Sequence, residues 1–119
     1  MKTYTCPICG YDGIDEPPYE IDSNAASYNI CPCCYFEYGY SEDHEVDLGY
    51  IVTPVKMRGA SFQLYRKQWI EKGAVVGSPE SYPEEFQENG KVKQEIVLKQ
   101  LKRLNLPLDN LSFLEGFKL

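Results

Sequence analysis

Two hydrophobic patterns divide the chain near residue 50. Up to that point apolar and polar positions alternate only in short pieces. "KTYTC" alternates, "CGYDG" reads as a turn, and Pro17 and Pro18 forbid a helix through "DEPPYE". "ASYNIC" and "YFEYGY" are rich in β-formers and flank a cysteine cluster, as the arms of a small hairpin would. "SEDHEVDLG" reads as an acidic connector. Beyond residue 50 the period becomes helical. Thr53 and Pro54 suit the N-cap and first residue of a helix through "VKMRGASFQLYRKQWIEKG", which Gly73 would end. On it Phe62, Tyr65 and Trp69 share one face, while Arg66, Lys67, Glu71 and Lys72 lie mostly on the other. "SYPEEFQENG" suggests a short helical turn opened by Pro83 and closed by Gly90. A third helix is expected in "KVKQEIVLKQLKRLNLP", with Val92, Ile96, Leu101 and Leu104 as its apolar side. The tail, "LDNLSFLEGFKL", carries enough Leu and Phe to dock on the rest of the protein.

Neither half could bury much alone. The expected architecture is therefore one α+β domain over 1–119, with a zinc-ribbon-like β lobe at 1–50 and a helical segment at 51–119. The Phe62, Tyr65, Trp69 face should close over the lobe. At 119 residues the core is small, so a metal staple would add usefully to it.

The cysteines supply that staple. "CPIC" at 6–9 and "CPCC" at 31–34 are two copies of Cys-Pro-x-Cys, giving C-x2-C-x21-C-x2-C. Each pair can turn within one knuckle, and two facing knuckles place four thiolates around one ion. The expected ligands are Cys6, Cys9, Cys31 and Cys34, with zinc as the ion and iron acceptable in the same cage. Cys33 occupies the position that Ile8 holds in the first knuckle, so its side chain should point away from the ion. Gly10 follows Cys9, where a positive φ is often wanted, but Tyr35 follows Cys34. Either the second turn is regular or Tyr35 accepts a strained conformation. A cage closed by four cysteines leaves no position for water or substrate, and no base accompanies Cys33, so no catalytic residue is expected. His44, the single histidine, reads as a surface residue.

Charge changes the picture once more. The formal net charge is −6, and it is uneven. Residues 1–50 hold ten Asp/Glu against Lys2 alone, a net −9, while residues 51–119 hold eleven Lys/Arg and eight Asp/Glu, a net +3. Eight of the ten tyrosines also lie in the first half. An acidic, tyrosine-rich surface repels phosphate backbones and suits a basic protein partner. Glu42, Asp43, Glu45 and Asp47 are expected on that surface. No apolar run approaches the ~18 residues of a membrane span. The opening "MKTYTCPIC" has no apolar leader core, and clustered cysteines suit a reducing compartment, so a cytoplasmic location is expected.

"CPICGYDGIDEPPYE" followed by "YNICPCCYFEYGY" resembles the bacterial cysteine-rich CPCC family of small proteins with paired Cys-Pro-x-Cys knuckles. The resemblance covers roughly residues 4–43 and implies metal binding without a catalytic residue. Some members lie near polymorphic toxin genes, which implies an immunity or accessory role. Three functions therefore compete. The first is a zinc-stapled interaction module for a basic protein, and the second is a nucleic-acid-binding zinc ribbon using Lys99, Lys102 and Arg103. The third is a thiol redox protein using Cys33 and Cys34. The charge of the first half favours the first.

Overall fold

A computed structural model describes residues 3–20 and 22–104, so the tail expected to dock lies outside the described residues. Its helices are α1 (Ser41–His44), α2 (Arg58–Glu71) and α3 (Gln94–Arg103), and one antiparallel pair, β1 (Gln87–Glu88) with β2 (Lys91–Val92), forms a two-stranded sheet. No helix among the described residues is long and apolar enough to cross a membrane.

The first half is built from turns tied by single bridges rather than from extended strands. Tyr4 pairs with Ile14, Tyr19 with Ala26 and Ile30 with Glu37. The arms expected at "ASYNIC" and "YFEYGY" do face each other, through Cys31 N–H to Phe36 O at 3.0 Å and Tyr38 N–H to Asn29 O at 3.0 Å. They stay short because the cysteine turn consumes the residues between them. The acidic connector is instead ordered: Ser41 and Glu42 are buried in α1.

Three expectations for the second half are corrected. Pro54 is extended, Val55–Met57 forms a single 3-10 turn, and α2 begins only at Arg58. Thr53 caps no helix; its hydroxyl donates to Glu42 O at 2.8 Å and its N–H to the Asp43 carboxylate at 2.6 Å. "SYPEEFQENG" is a 3-10 turn at Glu84–Phe86 followed by a hairpin, not a helical turn closed by Gly90. Asn89 (φ 56°) and Gly90 (φ 77°) both take the left-handed conformation that a two-residue type I′ hairpin turn requires. Val92 consequently belongs to β2, and α3 buries Val97, Gln100 and Leu101. Ile96 and Leu104 flank that face, partly buried.

The core joins the two halves. Phe36 lies between Tyr38, Phe62 and Tyr65 at ring separations of 5.7, 5.5 and 4.8 Å. Such aromatic pairs contribute roughly 0.5–1.5 kcal/mol each beyond their buried area. Trp69 is buried, and its indole N–H donates to Val75 O at 2.9 Å. The chain past α2 then runs along β2, with Val76 N–H to Gly90 O at 2.8 Å and Val92 N–H to Ala74 O at 2.9 Å.

The backbone of α3 approaches the first cysteine turn closely at Gly10. Gly10 has φ +80°, and a Cβ there would stand 1.9 Å from the carbonyl oxygen of Gln100. Gly10→Ala should therefore cost at least about 2 kcal/mol, combining left-handed strain of roughly 1–2 kcal/mol with displacement of α3. Gly59→Ala, in α2 with open space around it, should raise stability by about 0.5–1 kcal/mol. Thermal melts of the two variants should move in opposite directions; a Gly10→Ala protein as stable as wild type would contradict this packing.

Candidate metal centre

The two Cys-Pro-x-Cys segments fold as copies of one turn. In the first, Cys6 N–H donates to Tyr11 O at 2.7 Å and Gly10 N–H to Cys6 O at 3.0 Å. In the second, Cys31 N–H donates to Phe36 O at 3.0 Å and Tyr35 N–H to Cys31 O at 2.9 Å. Tyr35 takes the position of Gly10 and matches its backbone, with φ +65°. The strained alternative is thus the one adopted. Its ring, half exposed, lies over the backbone of Gly77, where a Cβ would meet it at 2.4 Å.

Facing each other, the turns bring together the sulfurs of Cys6, Cys9, Cys31 and Cys34, all within 4.8 Å of one another and all buried. Cys6 Sγ lies 3.9 Å from Cys34 Sγ, and Cys9 Sγ lies 3.7 Å from Cys31 Sγ. A tetrahedron of sulfurs about 2.3 Å from a central ion has edges of about 3.8 Å. A disulfide would need about 2.05 Å, and all five cysteines are free thiols. Ile8 N–H points at Cys6 Sγ, 3.5 Å away, the arrangement a thiolate would use. These four buried cysteines form a potential metal site.

Cys33 is fully buried and stands outside this group. The amide of Gln100 donates to its sulfur at 3.5 Å and to Cys9 O at 3.0 Å, while Tyr82 donates to the Gln100 carbonyl oxygen at 2.6 Å. His44 stacks on Tyr40 in an exposed position, far in role from any dyad with Cys33.

The outward-facing carbonyls of both turns are capped by the second half of the chain. Arg66 donates through Nε to Ile8 O and through a terminal nitrogen to Pro7 O, the latter at 2.9 Å. Gln100 takes Cys9 O, and Arg103 takes Gly10 O while pairing with Asp12 at 3.6 Å. On the second turn, Ser78 N–H donates to Pro32 O at 2.9 Å, Gly77 N–H to Cys33 O at 3.0 Å and Tyr65 to Cys34 O at 2.9 Å. Sequence reasoning placed Arg66 on the outer face of its helix; it is 2% exposed. It also gave Arg103 to a possible nucleic-acid surface, where the structure turns it toward the cysteine turn. Gln100 it passed over.

Charge is the test of whether these residues fit an ion. Among the described residues, the buried side-chain N and O atoms without a hydrogen-bond partner are Tyr38 Oη and one terminal nitrogen of Arg66. Both belong to side chains on which the cysteine sulfurs act. Burial and the charges of Cys6, Cys31 and Cys34 push the Tyr38 hydroxyl's pKa far up. Burial pulls the Arg66 guanidinium down, and Cys6, Cys9 and Cys34 pull it back up. A buried unpaired cation costs several kcal/mol, on the order of 3–5. Four neutral thiols would not offset it, whereas four thiolates on a divalent ion carry a formal charge of about −2 and would. Without an ion, burial holds the Cys9 and Cys34 thiols well above their ordinary pKa, and Cys31 raises both further. Cys6 is held low despite its burial, by hydrogen bonds from Cys31, Cys34 and Cys9. The donor set fits a metal ion.

The acidic surface is smaller than expected from composition. Glu42 is buried, accepting from Tyr19 at 2.7 Å and from Gly39 N–H at 2.8 Å, and its backbone oxygen accepts from Ser61 at 3.2 Å. Asp43 is tied to Thr53. Glu45 and Asp47 are exposed. Tyr11 and Tyr38 are core residues, while Tyr28, Tyr35, Tyr40 and Tyr50 are exposed.

Two proteins of Bacillus subtilis (strain 168), the uncharacterized proteins YoaQ and YozI, are each 51% identical to this chain, over 116 and 117 residues. Both alignments cover 98% of this chain, with 98% of YoaQ and 96% of YozI. A third, the uncharacterized protein YhgB, is 36% identical over 44 residues, 37% of this chain and 42% of its own length. No family model matches the chain, and no solved structure matches it.

The register of the second turn makes a sharp prediction. Cys33→Ser should keep the metal stoichiometry of wild type and lose only about 1 kcal/mol of stability, since a hydroxyl can also accept from Gln100. Cys34→Ser should lose the metal. Elemental analysis that finds the opposite pattern would shift the ligand set by one residue.

Proposed function

We propose that this chain, which belongs to one protein family with YoaQ and YozI of Bacillus subtilis, is an interaction module stapled by one zinc ion. The ion is held by Cys6, Cys9, Cys31 and Cys34. The observation that carries the metal reading is the set of four buried sulfurs within 4.8 Å of one another, in a chain whose buried Arg66 has one nitrogen without a hydrogen-bond partner. Zinc is the preferred ion because it takes four thiolates tetrahedrally without demanding redox chemistry, and iron would fit the same cage. A closed site offers no open coordination position, so the ion serves folding and the protein is not an enzyme in this reading. Structural zinc contributes about 10–16 kcal/mol in small domains, comparable to the whole ~5–15 kcal/mol stability of a typical one.

The partner reading rests on what the surface exposes. Tyr50, Ile51, Val52 and Val55 form an apolar run, Ile51 being 92% and Val52 71% exposed. Exposed acids in the same half include Glu16, Asp22 and Glu45. Exposed apolar and tyrosine side chains suit a protein partner, and the sign of the exposed charge in this half suits a basic one. The kinship with the CPCC family, and the immunity or accessory role it implies, belong to the same proposal and rest on the two quoted motifs. Arg103, engaged with Gly10 and Asp12, weakens the nucleic-acid alternative.

Two outcomes follow. Protein purified without added metal should hold about one zinc or iron per chain, and any one of the four cysteines changed to Ser should lose both metal and most of the fold. Metal-free protein that remains folded would defeat this. In pull-downs from the source cell, reversing Glu16, Asp22 and Glu45 together to Lys should lose the partner that wild type captures, with metal content unchanged. Recovery of nucleic acid by wild type, lost on replacing Lys99 and Lys102, would favour the zinc-ribbon alternative instead.

A further inference from the structure

We infer that Arg66 is the counter-cation of the four-cysteine site, a positioning residue that favours the ion state leaving the cluster most negative. This rests on the metal reading above and adds a role for one residue to it. Arg66 leaves α2 between Tyr65 and Trp69, where a helix that packs on a core would carry an apolar side chain, and it is buried all the same. Two of its nitrogens hold the carbonyls of Pro7 and Ile8, the two residues between Cys6 and Cys9. The third has no hydrogen-bond partner among the described residues. No carboxylate is paired with it among the described ion pairs, where Arg103 with Asp12 stands instead. The groups whose charge, as thiolates, would offset its burial are Cys6, Cys9 and Cys34.

A guanidinium so placed does two things. Its hydrogen bonds fix the first turn, which orients Cys6 and Cys9. Its charge acts on the whole cluster, and that effect depends on the ion. With a divalent ion the four thiolates sum to about −2, with a trivalent ion to about −1. A buried cation stabilises the more negative state more, so it favours zinc or ferrous iron over ferric iron. Charge near a metal–thiolate centre is one of the protein's levers on its potential.

The experiment uses the full chain loaded with iron as a probe, in wild type, Arg66→Lys and Arg66→Met. Cobalt(II)-loaded samples of each provide the control, because thiolate-to-cobalt absorption reports whether four sulfurs still surround the ion. Arg66→Met should shift the ferric/ferrous equilibrium toward ferric by at least about tenfold, which is about 59 mV for one electron. Arg66→Lys, which keeps the charge and loses the paired donors, should stay within about threefold of wild type. If Arg66→Met does not refold around the ion, Arg66→Gln replaces it, and the same shift is expected. A native cobalt spectrum with an unmoved potential in the uncharged variant would overturn the inference. So would a shift in Arg66→Lys as large as in the uncharged variant, because the hydrogen bonds and not the charge would then set the equilibrium. Wild type that takes up neither iron nor cobalt would overturn the metal reading itself, and this inference with it.

Discussion

Burying four thiols at the separations of a tetrahedron creates a charge problem that shapes the rest of the fold. Cysteine sulfurs that close can share an ion only as thiolates, yet burial, with Cys31 beside them, pushes the Cys9 and Cys34 thiols well above their ordinary pKa. The turns wrap the sulfurs, and in the first of them Ile8 N–H faces inward to Cys6 Sγ. Their carbonyls must then face outward, and a buried carbonyl needs a donor. The second half supplies those donors: Arg66, Gln100, Arg103 and Tyr65 from the helices, and the N–H groups of Gly77 and Ser78 from the segment between α2 and β1. The helical half is therefore a cap for the cysteine turns as well as the other side of the core that Phe36 shares with Phe62 and Tyr65. Ion binding and folding are coupled on this account, because neither the sulfur cluster nor its cap is satisfied alone.

How much of this could be read beforehand depended on whether the signal was local. The paired Cys-Pro-x-Cys spacing is local, and it pointed to the same four sulfurs that the structure gathers. The aromatic stripe of Phe62, Tyr65 and Trp69 is local too, and Phe62 and Tyr65 meet Phe36 of the first half. Asn89-Gly90 is among the strongest short hairpin signals, yet Pro83 and the acids beside it made a helical turn look plausible. Both signals are realised, the 3-10 turn ending at Phe86 and the hairpin following it, so the error lay in extending the turn to Gly90. Arg66 and Gln100 were missed for a different reason: charge and polarity argued for exposure, and only long-range partners reverse that. A trace of them was nevertheless present. Arg66 completes the stripe of Phe62, Tyr65, Trp69 and Ile70, and Gln100 completes that of Val97, Leu101 and Leu104. A polar residue that the fold buries at a core position of a helix needs a hydrogen-bond partner there.

Composition misled in one respect, by treating acids as interchangeable surface. Glu42 sits inside, bonded to Tyr19 and Gly39, and through its carbonyl to Thr53 and Ser61. It ties α1 to α2 and belongs to the fold. Exposed acids such as Glu16 and Asp22, with exposed Tyr50, Ile51, Val52 and Val55, are the surface features for which a partner is sought.

The central claim is that four sulfurs, and nothing else, surround one metal ion in the folded chain. X-ray absorption at the metal edge of the protein as purified tests it most directly. The account predicts four sulfur scatterers at about 2.3 Å with no nitrogen or oxygen neighbour. A shell containing nitrogen or oxygen, or folded protein with no metal to measure, would contradict it.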